Sequence, residues 1–245
     1  MDILCQDKNG VRTLSINRSE RLNVLDTQLF LALEEELDRA AKDPDVRCIV
    51  LRGEGKCFCA GHDMTVFGRP DQSERVNASV VSKLAAMPMP TIAAIHGHCY
   101  TGGLELALGC DMMLVSENVR IGDTHAKFGL NSAWGLSARL PRRVGYSRAL
   151  EMTSTCRIYS GREAAEIGLA LYCWEDEGFF EKVQQFGEQI GRNSPYAVRR
   201  TKSLLKASED IAAALEREWM IGGTYGFSSP DSEERIKAFL NKGKK

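Results

Sequence analysis

The chain has 245 residues, of which 43% are hydrophobic and 27% charged, with a net charge of −1 and an isoelectric point near 6.5. This length suits one large domain, alone or with a small appendage, and the near-neutral charge argues against binding to nucleic acid or to a membrane surface. No stretch has the length and apolar character of a membrane span or signal peptide, so we expect a cytoplasmic protein whose eight cysteines are reduced thiols.

Taken in chain order, the first elements alternate between strand and helix. Residues 11–17 alternate apolar and polar side chains, which predicts a half-buried strand. Residues 26–42 place leucines at helical spacing behind Asp26, a residue type that caps helices. The segment "RCIVLRGEG", which begins at Arg47, predicts a buried strand ending in a glycine turn. Residues 76–87 predict a helix, and residues 91–97 a short buried strand.

The next segments continue this alternation. "HCYTGG" at 98–103 predicts a turn, "LELALGCD" at 104–111 the start of a helix, and "MMLVSENVRIG" at 112–122 a further strand. Strand, loop and helix therefore alternate over roughly the first 190 residues, which is typical of α/β architecture.

The pattern changes from about Gly178 onward, where amphipathic helical segments follow one another without a strand signal. Pro195 is suitably placed for the first position of one of these helices. The predicted segments are 178–193, 194–208, 210–227 and 231–242. They indicate a C-terminal helical subdomain.

Two glycine-bearing turns carry the residues best suited to chemistry. In "KCFCAGHDM" at 56–64, small residues allow a ligand to approach the backbone closely. In "GHCYTGGLELALGCD" at 97–111, a Gly-Gly turn precedes a helix, so that backbone N–H groups point at an anion, and Glu105 lies in the first turn. Each feature alone is also compatible with an ordinary turn and a carboxylate that pairs with the helix dipole. Neither segment matches a P-loop or a dinucleotide-binding motif.

Taken together, the ordered motifs resemble the crotonase (enoyl-CoA hydratase/isomerase) superfamily over nearly the whole chain. "INRSERLNVLD" is similar to the family's N-R-P-x-x-x-N-A-L opening, and "FCAGHD" to its F-x-A-G-x-D. "PTIAAIHGHCYTGGLELALGCDMML" is similar to P-x-x-A-x-x-G-x-x-x-G-G-G-x-E-L-A-x-x-C-D. "GREAAEIGLA" and the C-terminal "FLNK" also fit.

The resemblance implies an α/β fold of the crotonase (ClpP-like) type, a spiral of ββα repeats with a C-terminal helical subdomain. It implies a spiral core that binds acyl-CoA over 1–190 and a helical trimerisation region over 191–245. Family members assemble as homotrimers or dimers of trimers and act on acyl-CoA thioesters. No cofactor is expected beyond the coenzyme A that is part of the substrate, and no metal.

The resemblance also assigns roles to individual residues. The thioester oxygen is expected between two backbone N–H groups, those of Ala60 and Gly102, which form an oxyanion hole. Ten residues, including these two, are expected to contact coenzyme A or the substrate. They are Arg21, Leu22, Ala60, His62, Asp63, Met64, Tyr100, Gly102, Trp134 and Lys242, the last reaching the phosphates from the same chain or from a neighbouring subunit.

Glu105 matches one of the two catalytic glutamates of the hydratase pattern. The second lies in F-G-x-P-E-x-x-x-G, and alignment on Gly122 and Gly129 places His125 at that glutamate and Thr124 at the proline. An imidazole has an ordinary pKa near 6.5 and can therefore give or take a proton near neutral pH. Glu105 and His125 are thus the predicted catalytic pair.

The sequence therefore predicts an enoyl-CoA hydratase that adds water across the C2–C3 double bond of a 2-enoyl-CoA. Because the second glutamate is replaced by His125, two alternatives stay open. One is an enoyl-CoA double-bond isomerase in which Glu105 moves the proton and His125 positions the substrate. The other is an acyl-CoA-binding or scaffold protein without catalysis, in which His125 is only a hydrogen-bonded loop residue.

Overall fold

The structure is a computed structural model and describes residues 1–62 and 73–206 together with Glu234. Within these residues the chain forms eight strands and eight α-helices. The strands are β1 (Ile3–Lys8), β2 (Val11–Ile16), β3 (Cys48–Gly53), β4 (Thr91–Ile95), β5 (His98–Tyr100), β6 (Met112–Ser116), β7 (Arg120–Gly122) and β8 (Tyr172–Trp174). The helices are α1 (Thr27–Lys42), α2 (Ser73–Ala86), α3 (Gly102–Leu108), α4 (Leu136–Val144), α5 (Tyr146–Thr155), α6 (Gly161–Glu166), α7 (Phe179–Gly191) and α8 (Pro195–Lys206).

Six of the strands form one sheet in the order β1-β2-β3-β4-β6-β8. β1 is antiparallel to β2, and every later pair is parallel. The carboxyl ends of the parallel strands therefore lie at one edge of the sheet. In open parallel sheets, ligands bind beyond this edge.

A small second sheet extends this edge. Its two strands, β5 and β7, pair in parallel, and each follows a strand of the main sheet, β4 and β6 respectively. Gly97 connects β4 to β5 with a φ of +60°, and a Cβ at this position would lie 2.0 Å from the carbonyl oxygen of Lys56. Only glycine fits this turn, because any side chain would collide with that backbone. The second sheet carries the chain directly to the start of α3 and to the residues that follow β7.

Both faces of the main sheet are buried. Along β3, Ile49 and Leu51 join the larger apolar cluster, which includes leucines of α1, whereas Val50 joins a smaller cluster on the opposite face. Phe179 and Val183 of α7 belong to that smaller cluster. Burial on both faces explains why the sequence of β3 is continuously apolar rather than alternating.

Most of the predicted elements in the first half of the chain are confirmed. β2, β3 and β4 lie where strands were expected, and α1 begins after Asp26, whose carboxylate accepts the N–H of Leu29 at 2.9 Å. Two predictions were wrong. Residues 98–100 form β5 instead of a turn, and residues 112–122 form two strands, β6 and β7, instead of one. These short strands are defined by pairing between distant segments, which local periodicity does not report.

The C-terminal helical pattern is confirmed as far as the described residues extend. α7 and α8 lie within the first two predicted segments, and α8 begins at Pro195. The helices predicted at 210–227 and 231–242 lie outside the described residues, apart from Glu234, and the division at 190/191 stays a prediction. In the part of the chain that is described, no helix combines the length and apolar character needed to cross a bilayer.

Asn23 joins the loop after β2 to the loop after β3. Its side chain is fully buried, and its Nδ2 donates to the carbonyl oxygens of Glu54 at 2.9 Å and Cys57 at 2.7 Å. Its Oδ1 accepts the backbone N–H of Arg18 at 3.0 Å. Asn23 also has a φ of +56°, a conformation that asparagine tolerates better than most residues. The amide therefore holds together two loops that lead to the candidate site.

We expect Asn23→Ala to lower the free energy of unfolding by about 3 kcal/mol, because one buried and two partly buried backbone groups lose their partners. Chemical denaturation measures this change. Asn17→Ala is the matched control, since the Asn17 amide donates to the Met1 carbonyl at the exposed surface, and its loss should cost less than about 1 kcal/mol. Equal effects of the two substitutions would contradict a special role of Asn23.

Candidate active site

The start of α3 and the residues after β7 are tied together at the end of the small sheet. Thr101 precedes α3 with a φ of +53°, which is unusual for a β-branched residue. Its N–H donates to the carbonyl oxygen of Gly122 at 3.0 Å, and its hydroxyl lies 2.6 Å from that of Thr124. These bonds bring Glu105, on α3, close to His125, although the two residues are far apart in sequence.

Glu105 is buried, with 2% of its surface exposed. One carboxylate oxygen, Oε1, accepts the backbone N–H groups of Trp134 at 2.8 Å and Leu136 at 3.3 Å. Burial raises the pKa of Glu105 above its ordinary value, although the Trp134 N–H and the charge of His125 act in the opposite direction. The two backbone donors fix the carboxylate and leave Oε2 for other contacts. A fixed carboxylate of raised pKa is well suited to accept a proton.

His125 faces Glu105 across a short gap, with its Nε2 3.6 Å from Glu105 Oε2. Its Nδ1 lies 2.6 Å from Oδ1 of Asp123, which is itself almost fully buried. Burial alone would lower the pKa of His125. The hydrogen bond and charge of Asp123 and the charges of Glu105 and Glu74 outweigh that effect, and the pKa is raised. The structure thus brings Glu105 and His125 together and adds a third ionisable group, Asp123, at the other ring nitrogen of His125.

Gly102 begins α3 and is tightly enclosed. A Cβ at this position would lie 2.7 Å from Cζ3 of Trp134 and 3.2 Å from the backbone nitrogen of His62. The position therefore requires glycine. As the first residue of a helix, Gly102 has an N–H without an acceptor within the helix. Its expected role as an oxyanion donor is consistent with this position.

The Ala60 N–H, in contrast, is used within the protein. It donates to the carbonyl oxygen of Leu22 at 3.0 Å, which contradicts the prediction that Ala60 supplies an oxyanion donor. The segment runs beside β5, and the backbones of Cys59 and Cys99 form an isolated parallel β-bridge. This course brings the backbone of His62, two residues later, against Gly102. Sequence reasoning chose the wrong residue of "CAGHD" because it could not show which N–H the neighbouring loop engages.

Trp134 closes one side of the site. Its indole ring is almost fully buried and packs edge-on against Phe30, at 4.9 Å between ring centroids, and against His62, at 5.4 Å. The indole N–H donates to Oε2 of Glu74 at 2.6 Å, and the other oxygen of Glu74 lies 3.8 Å from Nε2 of His62. Glu74 therefore connects the beginning of α2 to two residues of the site.

The remaining predicted contacts are placed differently. Arg21 and Leu22 lie on an exposed loop after β2. The hydroxyl of Tyr100 lies 3.2 Å from Nδ1 of His98 and accepts from Nε of Arg120 at 3.4 Å. The predicted contact of Tyr100 with coenzyme A or the substrate stays a prediction. Asp63, Met64 and Lys242 lie outside the described residues.

Sequence reasoning missed Asp123 and Glu74. A local signal existed for Asp123, because an aspartate two residues before another residue often accepts that residue's backbone N–H. The structure shows this bond from His125 at 3.1 Å. No local signal identifies Glu74, since its contacts with Trp134 and His62 depend on how α2 packs.

Known proteins are similar to this chain over nearly its whole length. The family model for enoyl-CoA hydratase/isomerase matches residues 6–245. The chain belongs to the enoyl-CoA hydratase/isomerase family. A peroxisomal Δ(3,5)-Δ(2,4)-dienoyl-CoA isomerase of Arabidopsis thaliana is 33% identical over 255 residues, which cover 96% of this chain and 92% of that protein. A 2,3-dehydroadipyl-CoA hydratase of Escherichia coli is 30% identical over 246 residues, which cover 98% and 96%.

Solved structures confirm the fold of this enoyl-CoA hydratase/isomerase family member. The crystal structure of an enoyl-CoA hydratase from Bacillus anthracis superimposes with a TM-score of 0.94 at 29% identity, covering 99% of this chain and 97% of that one. The predicted crotonase fold is therefore confirmed. Because the relatives include hydratases and isomerases at similar identity, the specific activity has to be argued from the site.

Proposed function

We propose that the protein is an enoyl-CoA hydratase, which adds water across the C2–C3 double bond of a 2-enoyl-CoA. The observation that carries this proposal is the pair formed by Glu105 and His125. The two groups lie 3.6 Å apart beside the start of α3. Glu105 is negatively charged when it has lost its proton, whereas His125 is positively charged when it has gained one. Hydration needs one group that takes a proton from water and another that gives a proton to carbon, and this pair supplies both.

The thioester oxygen is proposed to lie at the start of α3. Addition of hydroxide to C3 moves the double-bond electrons toward C1 and places negative charge on this oxygen. Backbone N–H groups held in a site shielded from water stabilise that charge, and loss of one such donor typically costs about 3 kcal/mol. We assign one donor to Gly102. We assign the other to His62, because its backbone nitrogen lies against Gly102.

The proton transfers follow from the charges of the pair. Glu105, as carboxylate, takes one proton from water while the water oxygen bonds to C3. His125, as imidazolium, gives its Nε2 proton to C2, which returns the enolate to a thioester and completes the 3-hydroxyacyl-CoA. The proton on Glu105 then passes to Nε2 of His125 across the 3.6 Å gap, and both groups recover their starting state.

The other predicted contacts belong to this proposal. Coenzyme A is proposed to lie along Arg21, Leu22 and His62, and along Asp63, Met64 and Lys242, with no cofactor beyond the substrate. Trp134 is proposed as a wall of the substrate site, in keeping with its position beside Gly102. Assembly through residues 191–245 as a homotrimer or a dimer of trimers is likewise proposed.

A double-bond isomerase is the second candidate. A dienoyl-CoA isomerase is among the relatives at 33% identity, and a pair of proton-carrying groups 3.6 Å apart could also move one proton between C2 and C4. A 3-enoyl-CoA distinguishes this candidate, since isomerisation creates conjugated thioester absorbance whereas hydration of crotonyl-CoA removes it. Binding of both thioesters without turnover of either would instead support the non-catalytic alternative.

His125 variants test the assignment of the second proton-carrying group. We expect the protein to hydrate crotonyl-CoA and His125→Ala to lower kcat by about 10²–10⁴-fold, the usual contribution of general acid–base catalysis. His125→Glu should retain more activity, because repulsion by Asp123 raises the pKa of a nearby carboxyl and favours its protonated form. The rate of absorbance loss measures both effects. Full activity of His125→Ala with an unchanged pH profile would make the imidazole a bystander.

A further inference from the structure

Asp123 is a buried carboxylate that has no role in the proposed proton transfers. It follows β7 directly, and only 3% of its side chain is exposed. Its Oδ1 accepts the backbone N–H of His125 at 3.1 Å and lies 2.6 Å from Nδ1 of the same residue. A buried carboxylate is stable only when it is paired. In the described structure, this pairing is with the residue that faces Glu105.

We infer that Asp123 is a positioning residue that fixes the proton on Nδ1 of His125, turns Nε2 toward Glu105 and stabilises the imidazolium form of the ring. This inference deepens the proposed hydration and rests on it for its catalytic meaning. A carboxylate can only accept a hydrogen bond, so the ring nitrogen beside it must carry the proton. The neutral ring therefore has a bare Nε2, and the charged ring has an Nε2 proton that is directed at the reaction site.

The charges around His125 support the same assignment. Asp123 faces Nδ1 from the end of β7, and Glu105 faces Nε2 from α3. Glu74, at the beginning of α2, adds a weaker attraction. On α4, the charge of Arg139 interacts with that of Glu105, and the Arg139 guanidinium donates to the Trp134 carbonyl at 2.7 Å.

The pH dependence has a definite sign. Three carboxylates act on the ring, and its pKa is raised despite burial. A raised pKa extends the charged form of the ring to higher pH than in an ordinary histidine, and this charge is lost as the pH rises through that pKa. Activity that needs the imidazolium should therefore decline on the alkaline side. Without Asp123 the decline should begin at lower pH.

Asp123 also explains how a histidine can serve where the resemblance expects a glutamic acid. A carboxylic acid at this position would need a strongly raised pKa to carry a proton near neutral pH, whereas an imidazole starts from an ordinary value near 6.5 and is raised further beside Asp123. Asp123 supplies a hydrogen-bond acceptor and a negative charge beside the ring. Its hydrogen bond to the ring strengthens when the ring is charged, because both partners are then ionised.

Asp123→Asn tests the inference. The chain contains four histidines, so ring resonances of ¹⁵N-labelled protein can be assigned by their loss in His125→Gln. We expect Asp123→Asn to lower the pKa of His125, to move the alkaline decline of kcat to lower pH, and to reduce kcat at pH 7 by about 10²–10⁴-fold. Asp123→Glu, which retains the charge, should restore part of the activity and of the pKa.

Glu74→Gln is the matched control, because it removes a negative charge near His125 without removing a hydrogen bond from the ring. Its effect on the titration of His125 should be smaller than that of Asp123→Asn. An equal effect would show that charge alone matters and would overturn the positioning role. An unchanged titration and pH profile in Asp123→Asn would overturn it as well.

The wild-type protein provides a test that does not depend on folding of a variant. ¹⁵N shifts of the neutral ring should show the proton on Nδ1, and the ring should titrate above the ordinary value near 6.5. A proton on Nε2 in the neutral ring would overturn the inference. These NMR results decide the role of Asp123 even if crotonyl-CoA is not hydrated, so failure of the proposed function and failure of this inference are distinguishable.

Discussion

Glu105→Gln is expected to lower kcat for crotonyl-CoA hydration by about 10³-fold, within the range that general acid–base groups contribute. Glutamine retains an oxygen that can accept the N–H groups of Trp134 and Leu136, so the segment that contains these two residues keeps its position. It cannot take a proton from water at neutral pH. Loss of the base should therefore appear in kcat, while KM changes by only a few fold.

The stability of Glu105→Gln should change in the opposite direction. A carboxyl group whose folded pKa is raised is disfavoured in its charged form by folding, and it reduces stability at any pH above its unfolded pKa. Glutamine removes this cost. We expect the free energy of unfolding at pH 7 to equal or exceed that of the wild type, as is common when a buried functional charge is removed.

Glu36→Gln is the control for Glu105→Gln. Glu36 is another largely buried glutamate, but it pairs with Arg39 along α1 rather than facing the site. This variant should retain wild-type kcat for each folded molecule, measured after denaturation curves have established the folded fraction. Wild-type turnover in Glu105→Gln would refute the assignment of the base, and an equal loss in Glu36→Gln would show that the effect is not specific to the site.

Local sequence patterns predicted the elements whose burial repeats along the chain. The leucines of α1 and the continuous apolar run of β3 follow directly from which faces are buried. The three-residue strands β5 and β7 could not be predicted in this way, because they are defined by pairing with each other and by single β-bridges to other distant segments. The same limit applies to the site, where contacts between distant segments decide which groups meet.

Some site residues could be predicted from local spacing, whereas others depend on contacts between distant segments. Glu105 and Gly102 share one short helix start, so motif spacing was sufficient to identify them, and the flanking glycines fixed the register of His125. The donor in "CAGHD" depends on which N–H the Leu22 carbonyl engages, and the structure shows that it engages Ala60. Glu74 is brought to the site by helix packing alone, which no local pattern reports.

Gly102→Ala is expected to lower kcat/KM by about 10²-fold or more while the protein remains folded. The helix itself does not oppose alanine, which it favours over glycine by about 1 kcal/mol. The obstacle is space, because the new Cβ would lie 2.7 Å from the Trp134 ring and 3.2 Å from the His62 nitrogen. The ring is held between Phe30 and His62, so relief of the contact must displace either the ring or the helix start. Both changes would move the proposed donors.

Gly191→Ala provides the control, since its Cβ would make ordinary contacts, the nearest at 3.6 Å from the Arg47 Cβ. This variant should retain wild-type kcat/KM.

Trp134→Leu separates two causes of the loss in Gly102→Ala. If the ring contact is responsible, Trp134→Leu should cost less activity in the Gly102→Ala background than in the wild type, which is a favourable coupling in the double-mutant cycle. If the added methyl instead occupies the position of the thioester oxygen, the two losses should combine without coupling, because removal of the ring cannot reopen a position that the methyl fills.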